Sequence, residues 1–291
     1  MKKNTTRIFA AVSAAALLAL AGCGGSGTNS NNNTNSNITI AVPNDTSNEA
    51  RALLLLQDQG IITLNEDAGI TATVMDITEN PKNIKFQEIE AAQLPNILQD
   101  VDYAVINSNY AIEAGINPVE DSLAIEGSAS AYANILAVRE GNESSDKILA
   151  LKAALESRQV ADYIAQEYGG SVVSVVENLT DGYDSGIDYD ALAGTTITVA
   201  ASPAPHAVIL GIAKEILAER NITLDIREFT DYVQPNNVVE SGEIDANYFQ
   251  HTPYLDDFNA ENGTHIVSVS QIHVEPMGIY GGKQTSLDAV K

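Results

Sequence analysis

The 291-residue chain has no tryptophan, a single cysteine, and only 15 lysines and arginines against 39 aspartates and glutamates. One cysteine excludes an intramolecular disulfide and any multi-cysteine zinc site. A formal net charge of −24 excludes recognition of nucleic acid through a basic footprint, so no nucleic-acid partner is expected. The same charge repels an anionic lipid surface, so membrane residence requires a covalent tether or an inserted segment. The scarce basic residues are also unevenly placed. Lys2, Lys3 and Arg7 fall within the first 22 residues, where there is no acid, which leaves 12 basic and 39 acidic residues, a charge of −27, on the remainder. Residues 8–20 are a 13-residue run of apolar and small side chains, too short to span a bilayer but of the length of a secretory signal core. What is present is an ordinary apolar content of 44%, enough at this length for two domains with cores of their own.

Leu20-Ala21-Gly22-Cys23 follows that run directly. It resembles the lipobox of bacterial lipoproteins, which implies that residues 1–22 are a signal peptide and that Cys23 becomes the lipidated first residue of the mature chain. The alternative is a plain secretory signal with an incidental cysteine. The lipobox implies an extracytoplasmic protein held at the cell membrane through Cys23. Residues 24–37 contain no aliphatic or aromatic side chain; they cannot build a core and read as a flexible spacer. Gly22, Gly24 and Gly27 match the spacing of a dinucleotide fingerprint, but no strand precedes them and no helix follows, so that reading fails.

From residue 38 onward strands and helices alternate, which predicts an α/β protein. Strands are expected at 38–42, 71–76, 103–106, 135–138, 196–200 and 224–228. Helices are expected at 51–57, with Asn48 as cap, and at 91–99, 147–155, 158–168 and 206–219. Residues 176–194, rich in Asp, Gly and Tyr, read as a connecting loop. The openings Ile38-Thr-Ile-Ala-Val and Ile197-Thr-Val-Ala-Ala echo each other and suggest two similar lobes, whose cleft would suit a small ligand.

Motifs for catalysis are missing. There is no H-E-x-x-H, G-x-S-x-G or P-loop pattern, so neither catalytic residues nor a cofactor is expected. His206, His251, His265 and His273 do not stand at metal-ligand spacings. Asp181, Asp184, Asp188 and Asp190 lack the spacing and terminal Glu of a calcium loop and read as a solvated turn. No metal is expected.

Three segments, 229–236 (Phe-Thr-Asp-Tyr-Val-Gln-Pro-Asn), 242–256 (Gly-Glu-Ile-Asp-Ala-Asn-Tyr-Phe-Gln-His-Thr-Pro-Tyr-Leu-Asp) and 275–280 (Glu-Pro-Met-Gly-Ile-Tyr), resemble the first half of the NlpA/MetQ family of methionine-binding lipoproteins. Residues 41–57, 79–83 and 104–111 resemble its second half. The resemblance implies a two-lobed periplasmic-binding-protein fold of type II-like α/β architecture, with a ligand cleft between the lobes. It also implies the role of substrate-binding component of an ABC importer, with a membrane permease as partner. The halves stand in reverse order, so the chain looks circularly permuted. Residues 38–128, completed by about 282–291, would form one lobe; residues 129–281 would form the other, with 176–194 as the linker created by permutation. Permutation requires Lys291 to end near Ile38 in space.

Carried over residue by residue, the resemblance implies an aromatic thioether pocket of Tyr232, Phe249 and Tyr254 with His251 beside them. Arg51 would hold an α-carboxylate, and Asn107 and Asn134 would offer carbonyl oxygens to an ammonium. Each also has a plainer reading: core aromatics, an arginine on a solvated helix face, asparagines closing turns, a structural histidine. Pro205-His206 and His273 are expected to support the lobe, residues 275–278 to lie at an inter-lobe crossing, and Gly281-Gly282 to give a hinge its freedom. The implied ligand is methionine, L or D, taken up by a monomer. A methionine-containing dipeptide or another apolar amino acid is the nearest alternative, and a lipoprotein enzyme or adhesin a remote one.

Overall fold

The apolar runs at 38–42 and 103–106 lie side by side as parallel strands. The computed structural model describes residues 38–127 and 132–291; the signal segment, Cys23, the spacer and its glycines lie outside them. In chain order the strands are β1 (Thr39–Pro43), β2 (Thr63–Leu64), β3 (Ile77–Glu79), β4 (Lys85–Ile89), β5 (Tyr103–Ile106), β6 (Ser122–Ile125), β7 (Asn134–Arg139), β8 (Val173–Ser174), β9 (Thr196–Ala201), β10 (Thr223–Glu228), β11 (Ala246–His251), β12 (Ile266–Val274) and β13 (Gly278–Gly281). The α-helices are α1 (Thr46–Asp58), α2 (Leu94–Ile97), α3 (Ser108–Glu113), α4 (Asp146–Leu155), α5 (Arg158–Tyr168), α6 (Tyr189–Leu192), α7 (Val208–Ala218), α8 (Gln234–Glu240) and α9 (Thr252–Asn262).

Two large sheets organise these elements, beside a small antiparallel pair of β2 and β3. One has the order β4-β1-β5-β13-β6, the other β10-β9-β11-β7-β12-β8. In the first, β1 runs parallel to β4 and β5, while β13 is antiparallel to β5 and β6. In the second, β9, β10 and β11 are parallel, and β7, β8 and β12 complete it with antiparallel pairing. Each sheet is covered on both faces. Leu53, Leu56 and Ile61 pack against one face of the first and Leu94, Leu98 and Tyr110 against the other. Ile148, Leu151, Leu210 and Leu217 cover one face of the second, with Val239 and Leu255 opposite. Burial on both sides accounts for strands that read as continuous apolar runs. The chain passes between the sheets twice, from β6 to β7 and from β12 to β13.

Several expectations change. Residues 71–76 are two short helical turns rather than a strand: Thr73 and Asp76 form a capping box, with the Thr73 N–H donating to Asp76 Oδ2 at 2.9 Å. Asp45, not Asn48, caps α1, accepting from the Asn48 N–H at 3.1 Å and from Asn48 Nδ2 at 2.8 Å, which leaves the Asn48 side-chain oxygen for other partners. Gly278–Gly281, expected to end the second lobe, pairs instead with Tyr103–Ile106 in the first sheet. Gly281-Gly282 is not a free hinge either: a Cβ on Gly282 would lie 1.9 Å from the Leu98 carbonyl oxygen, and one on Gly281 2.2 Å from that of Gln284. These glycines permit close backbone approach.

The segment 176–194 keeps Asp181, Asp184, Asp188 and Asp190 exposed, as expected of a solvated loop, but anchors itself through a few buried side chains. Tyr189 and Leu192 are buried in the second lobe's core, and the Tyr183 hydroxyl donates to Glu219 at 2.8 Å. Its acids act as local turn acceptors, Asp184 taking the Gly186 N–H at 2.8 Å and Asp188 capping α6. The C-terminal end packs beside β1: Ile38, Leu287 and Val290 share one hydrophobic cluster, and Asp102 accepts both the Thr39 N–H at 2.9 Å and Gln284 Nε2 at 3.0 Å. The described helices include none long and apolar enough to cross a membrane.

Candidate functional site

In both sheets, parallel strands turn into helices at their carboxyl ends, the general position of ligand crevices in open α/β sheets. The β1–α1 turn delivers Asn48 and Arg51, which stand three residues apart and so share a helix face. The β5–α3 turn delivers Asn107, Ser108 and Asn109. From the second lobe come Tyr232, the β11 residues Phe249, Gln250 and His251, Tyr254 on α9, and Asn134 at the start of β7. These residues and Glu275 line one cleft with about 340 Å³ of empty space, part of it open to solvent. All seven residues inferred from the sequence thus line one space, while Asn48, Ser108, Asn109, Gln250 and Glu275 were not anticipated as its walls. The only local hint was that these polar side chains stand where flanking residues are buried.

Phe249 reaches the wall through a bulge. The register of β11 against β7 shifts between Tyr248 and Gln250, which leaves Phe249 as the extra residue. Its ring lies 5.8 Å from Tyr232 and 6.1 Å from Tyr254, and the Tyr254 hydroxyl donates to the Tyr232 carbonyl at 3.0 Å. Burial pushes the Tyr232 phenol far above its ordinary range, so it remains a donor, to Asn109 Oδ1 at 2.6 Å. Tyr110 backs this wall at 4.9 Å from Tyr232.

His251 caps α9, its Nδ1 accepting the Tyr254 N–H at 3.2 Å. Its proton is therefore on Nε2, which donates to Asn48 Oδ1 at 3.3 Å. Burial, then the nearby Arg51 charge, hold this imidazole well below its usual pKa, so it is neutral. Asn48 Oδ1 also accepts from Asn107 Nδ2 at 2.8 Å. One oxygen of the first lobe thereby receives a donor from each lobe. Two polar atoms in this shell have no partner: Asn107 Oδ1, an acceptor, and Asn109 Nδ2, a donor.

Arg51 is not on a solvated face; it is 4% exposed. Its Nε donates to Glu126 at 3.0 and 3.1 Å, and its Nη2 to Glu126 Oε2 at 2.5 Å and to the Glu275 carbonyl at 2.8 Å. The guanidinium also lies 4.4 Å from the Tyr132 ring centre. Glu126 fixes one edge of the fork and offsets its charge inside the protein.

Beneath the cavity, Glu275 Oε1 lies 2.7 Å from His273 Nε2 and 3.1 Å from His206 Nε2. His206 Nε2 is also 2.9 Å from Asn134 Oδ1, and the Tyr248 hydroxyl bonds His273 Nδ1. Among the described residues, His206, His273 and Glu275 are the group close enough to consider for a metal, with donor atoms within 4.8 Å of one another. The two contacts to Glu275 are hydrogen bonds, whereas donors about 2.0–2.1 Å from a tetrahedral ion would stand roughly 3.3 Å apart. Burial pushes the Glu275 carboxyl up and holds His206 at about 4 and His273 at about 3.

The chain is 47% identical over 134 residues to membrane lipoprotein TpN32 of Treponema pallidum, covering 46% of this chain and 50% of that protein. It is 43% identical over 133 residues to a probable D-methionine-binding lipoprotein MetQ of Vibrio cholerae, covering 46% and 49%. The chain thus spans about half the length of the curated relatives it matches. Among solved structures, a nutrient binding protein from Burkholderia cenocepacia bound to methionine matches 47% of this chain and 58% of its own, at 48% identity and a TM-score of 0.46. The family described as NlpA lipoprotein matches residues 28–176 and 197–291, and the chain belongs to that family.

Proposed function

We propose that this chain is the substrate-binding lipoprotein of an ABC importer, that it captures methionine between its lobes, and that it hands the amino acid to a membrane permease without chemical change. The observation that carries this reading is the pairing of opposites around one cleft. An unpartnered acceptor (Asn107 Oδ1), an unpartnered donor (Asn109 Nδ2) and a buried guanidinium face an apolar wall of Tyr232, Phe249 and Tyr254. A zwitterionic head satisfies the first three, and a flexible thioether gains roughly 0.3–1.5 kcal/mol from each aromatic contact. Arg51 would meet the carboxylate with Nη1, the nitrogen not engaged by Glu126 or Glu275. The name of the Vibrio cholerae relative supports the same ligand class. Cys23 is the proposed lipid anchor on the extracytoplasmic face.

Permutation belongs to the same reading. The packing of Ile38 with Leu287 and Val290 supports joined ends in an unpermuted relative, and so does a family match in two pieces.

Mass spectrometry of small molecules released from the purified protein, followed by calorimetric titration with L-methionine, D-methionine and glycyl-methionine, tests the proposal. One methionine per chain is the expected result. Preference for glycyl-methionine would move the ligand to the dipeptide class, and no binding to any of the three would overturn the reading.

A further inference from the structure

We propose that Asn236, Asn247 and Gln250 form a buried amide clamp that sets the spacing of the Tyr232 and Phe249 rings, and that Asn236 and Asn247 are thereby positioning residues for recognition of a thioether. The proposal rests on the methionine reading above and adds what lets the apolar wall tell a sulfur from a methylene group.

The clamp exists because β11 is irregular. Ala246 and Tyr248 face the core covered by α4 and α7, while Asn247 faces α8 and donates from Nδ2 to the Pro235 carbonyl at 3.2 Å. In an uninterrupted strand, residue 250 would share the face of residue 248 and carry its amide into that apolar core. The bulge at Phe249 shifts the alternation by one residue, so Gln250 stands on the Asn247 side. There its Nε2 donates to Asn247 Oδ1 at 2.9 Å and to Asn236 Oδ1 at 2.7 Å, and its Oε1 accepts from Asn236 Nδ2 at 2.9 Å. Asn247 Nδ2 closes the ring by donating to the same Asn236 Oδ1 at 2.9 Å. Asn236 and Asn247 are 0% exposed and Gln250 2%, and at that depth losing one member leaves the others unpaired away from water. A slip of the bulge would break the ring of amides, so the ring holds the bulge and with it the position of Phe249.

The other end of the clamp holds Tyr232. Pro235 and Asn236 lie in the first turn of α8, and Asp231 Oδ1 takes the N–H groups of Val233 and Gln234 at 2.8 Å each, which fixes the turn carrying Tyr232 to the start of that helix. Through Asn236 the helix start is bonded to Gln250, the chain neighbour of Phe249. The 5.8 Å between the two rings is therefore set across the amide ring as well as by packing. A sulfur–aromatic contact needs the sulfur about 5 Å from a ring, so ring spacing decides whether the wall reads it.

Calorimetry on the full chain with L-methionine and L-norleucine tests this. Norleucine keeps the head group and the unbranched length but replaces sulfur with a methylene, so changes in folding, head-group binding or lobe closure move both ligands alike and the affinity ratio reports the wall. The wild type is expected to prefer methionine. Asn236→Leu keeps most of the volume but removes the acceptor that Asn247 and Gln250 share, and is expected to lower that preference roughly 2- to 10-fold, the worth of one sulfur–aromatic contact. Asn236→Ser, a milder change, is expected to lower it in the same direction and serves if the leucine chain does not fold. Leu217→Ala, buried on α7 in the same lobe, lowers stability without touching the clamp and is expected to leave the ratio unchanged. An unchanged ratio in the folded Asn236 variants, an equal fall in the Leu217→Ala chain, or a wild type that binds both ligands equally overturns the clamp. A wild-type chain that binds no methionine overturns instead the reading on which it rests.

Discussion

Arg51 is expected to carry two separable duties, one to the fold and one to the ligand. Arg51→Met keeps the length of the side chain and removes its charge. The structure assigns three short contacts from Arg51 to Glu126 and one to the Glu275 carbonyl, so the substitution strands a carboxylate. Breaking a buried pair costs roughly 3–5 kcal/mol. Glu126 is 19% exposed and keeps the Met277 N–H at 3.2 Å, which places the loss near the lower end, about 3 kcal/mol. Adding Glu126→Gln removes the stranded charge and should recover more than half of that loss. Methionine affinity behaves differently. Loss of a charged hydrogen bond to the ligand's carboxylate costs about 1.5–3 kcal/mol, roughly 10- to 150-fold, and Glu126→Gln cannot restore it. Urea denaturation followed by circular dichroism measures the first quantity and calorimetry the second. If the double variant regains both stability and affinity, Arg51 is a structural residue that never touches ligand. If the single variant is as stable as the wild type, the pair with Glu126 contributes nothing.

Acidification should destabilise the fold from pH 6.5 down to about 3. His206 and His273 are held at about 4 and 3, below the ordinary 6.5, so as pH falls the unfolded chain takes up protons that the native state refuses, at about 1.4 kcal/mol per imidazole per pH unit. Glu275, pushed up by burial, opposes part of this by gaining its proton earlier in the native state. Urea midpoints should therefore decline with acidity and decline less steeply in His206→Gln; a flat wild-type profile would contradict the buried network. Gly282→Ala sets a Cβ 1.9 Å from the Leu98 carbonyl oxygen and 2.4 Å from that of Val101, and is expected to cost at least about 3 kcal/mol or to prevent folding. Gly211→Ala, inside α7 with no atom within 4 Å of the new methyl, should stabilise by roughly 0.5–1 kcal/mol; thermal denaturation compares the two. Phe249→Leu should weaken methionine through the lost aromatic contact while the variant's melting curve stays close to the wild type's, since leucine still fills much of the space at the bulge.

What can be read along the chain and what cannot divide by distance in sequence. The strand Tyr103–Ile106 and the helix Arg158–Tyr168 have the bounds that the residues predict. The signals are local there: four buried apolar residues in a row, a serine cap at Ser157, and Gly169 in the left-handed region at φ 52°. Residues 71–76 also carried their answer locally, in the capping box of Thr73 and Asp76, which alternation of apolar residues concealed.

The seven site residues were named from family segments rather than from any physical spacing, because the residues of a cleft between lobes come from turns far apart in the chain; Arg51 and Glu275 are 224 positions apart. Sequence by itself determined the α/β class, the acidic surface and the identity of the polar and aromatic side chains available to a ligand, since these follow from composition and from neighbours within a few residues. Only the tertiary structure decided that Glu126 occupies one edge of Arg51, that Gly281 and Gly282 admit backbone rather than motion, and that Asn107 spends its Nδ2 on Asn48 and leaves its Oδ1 without a partner. An amide has no intrinsic polarity toward a site. Whichever branch is bound by a neighbour leaves the other for the ligand, and for Asn107 that neighbour, Asn48, is brought there by the fold.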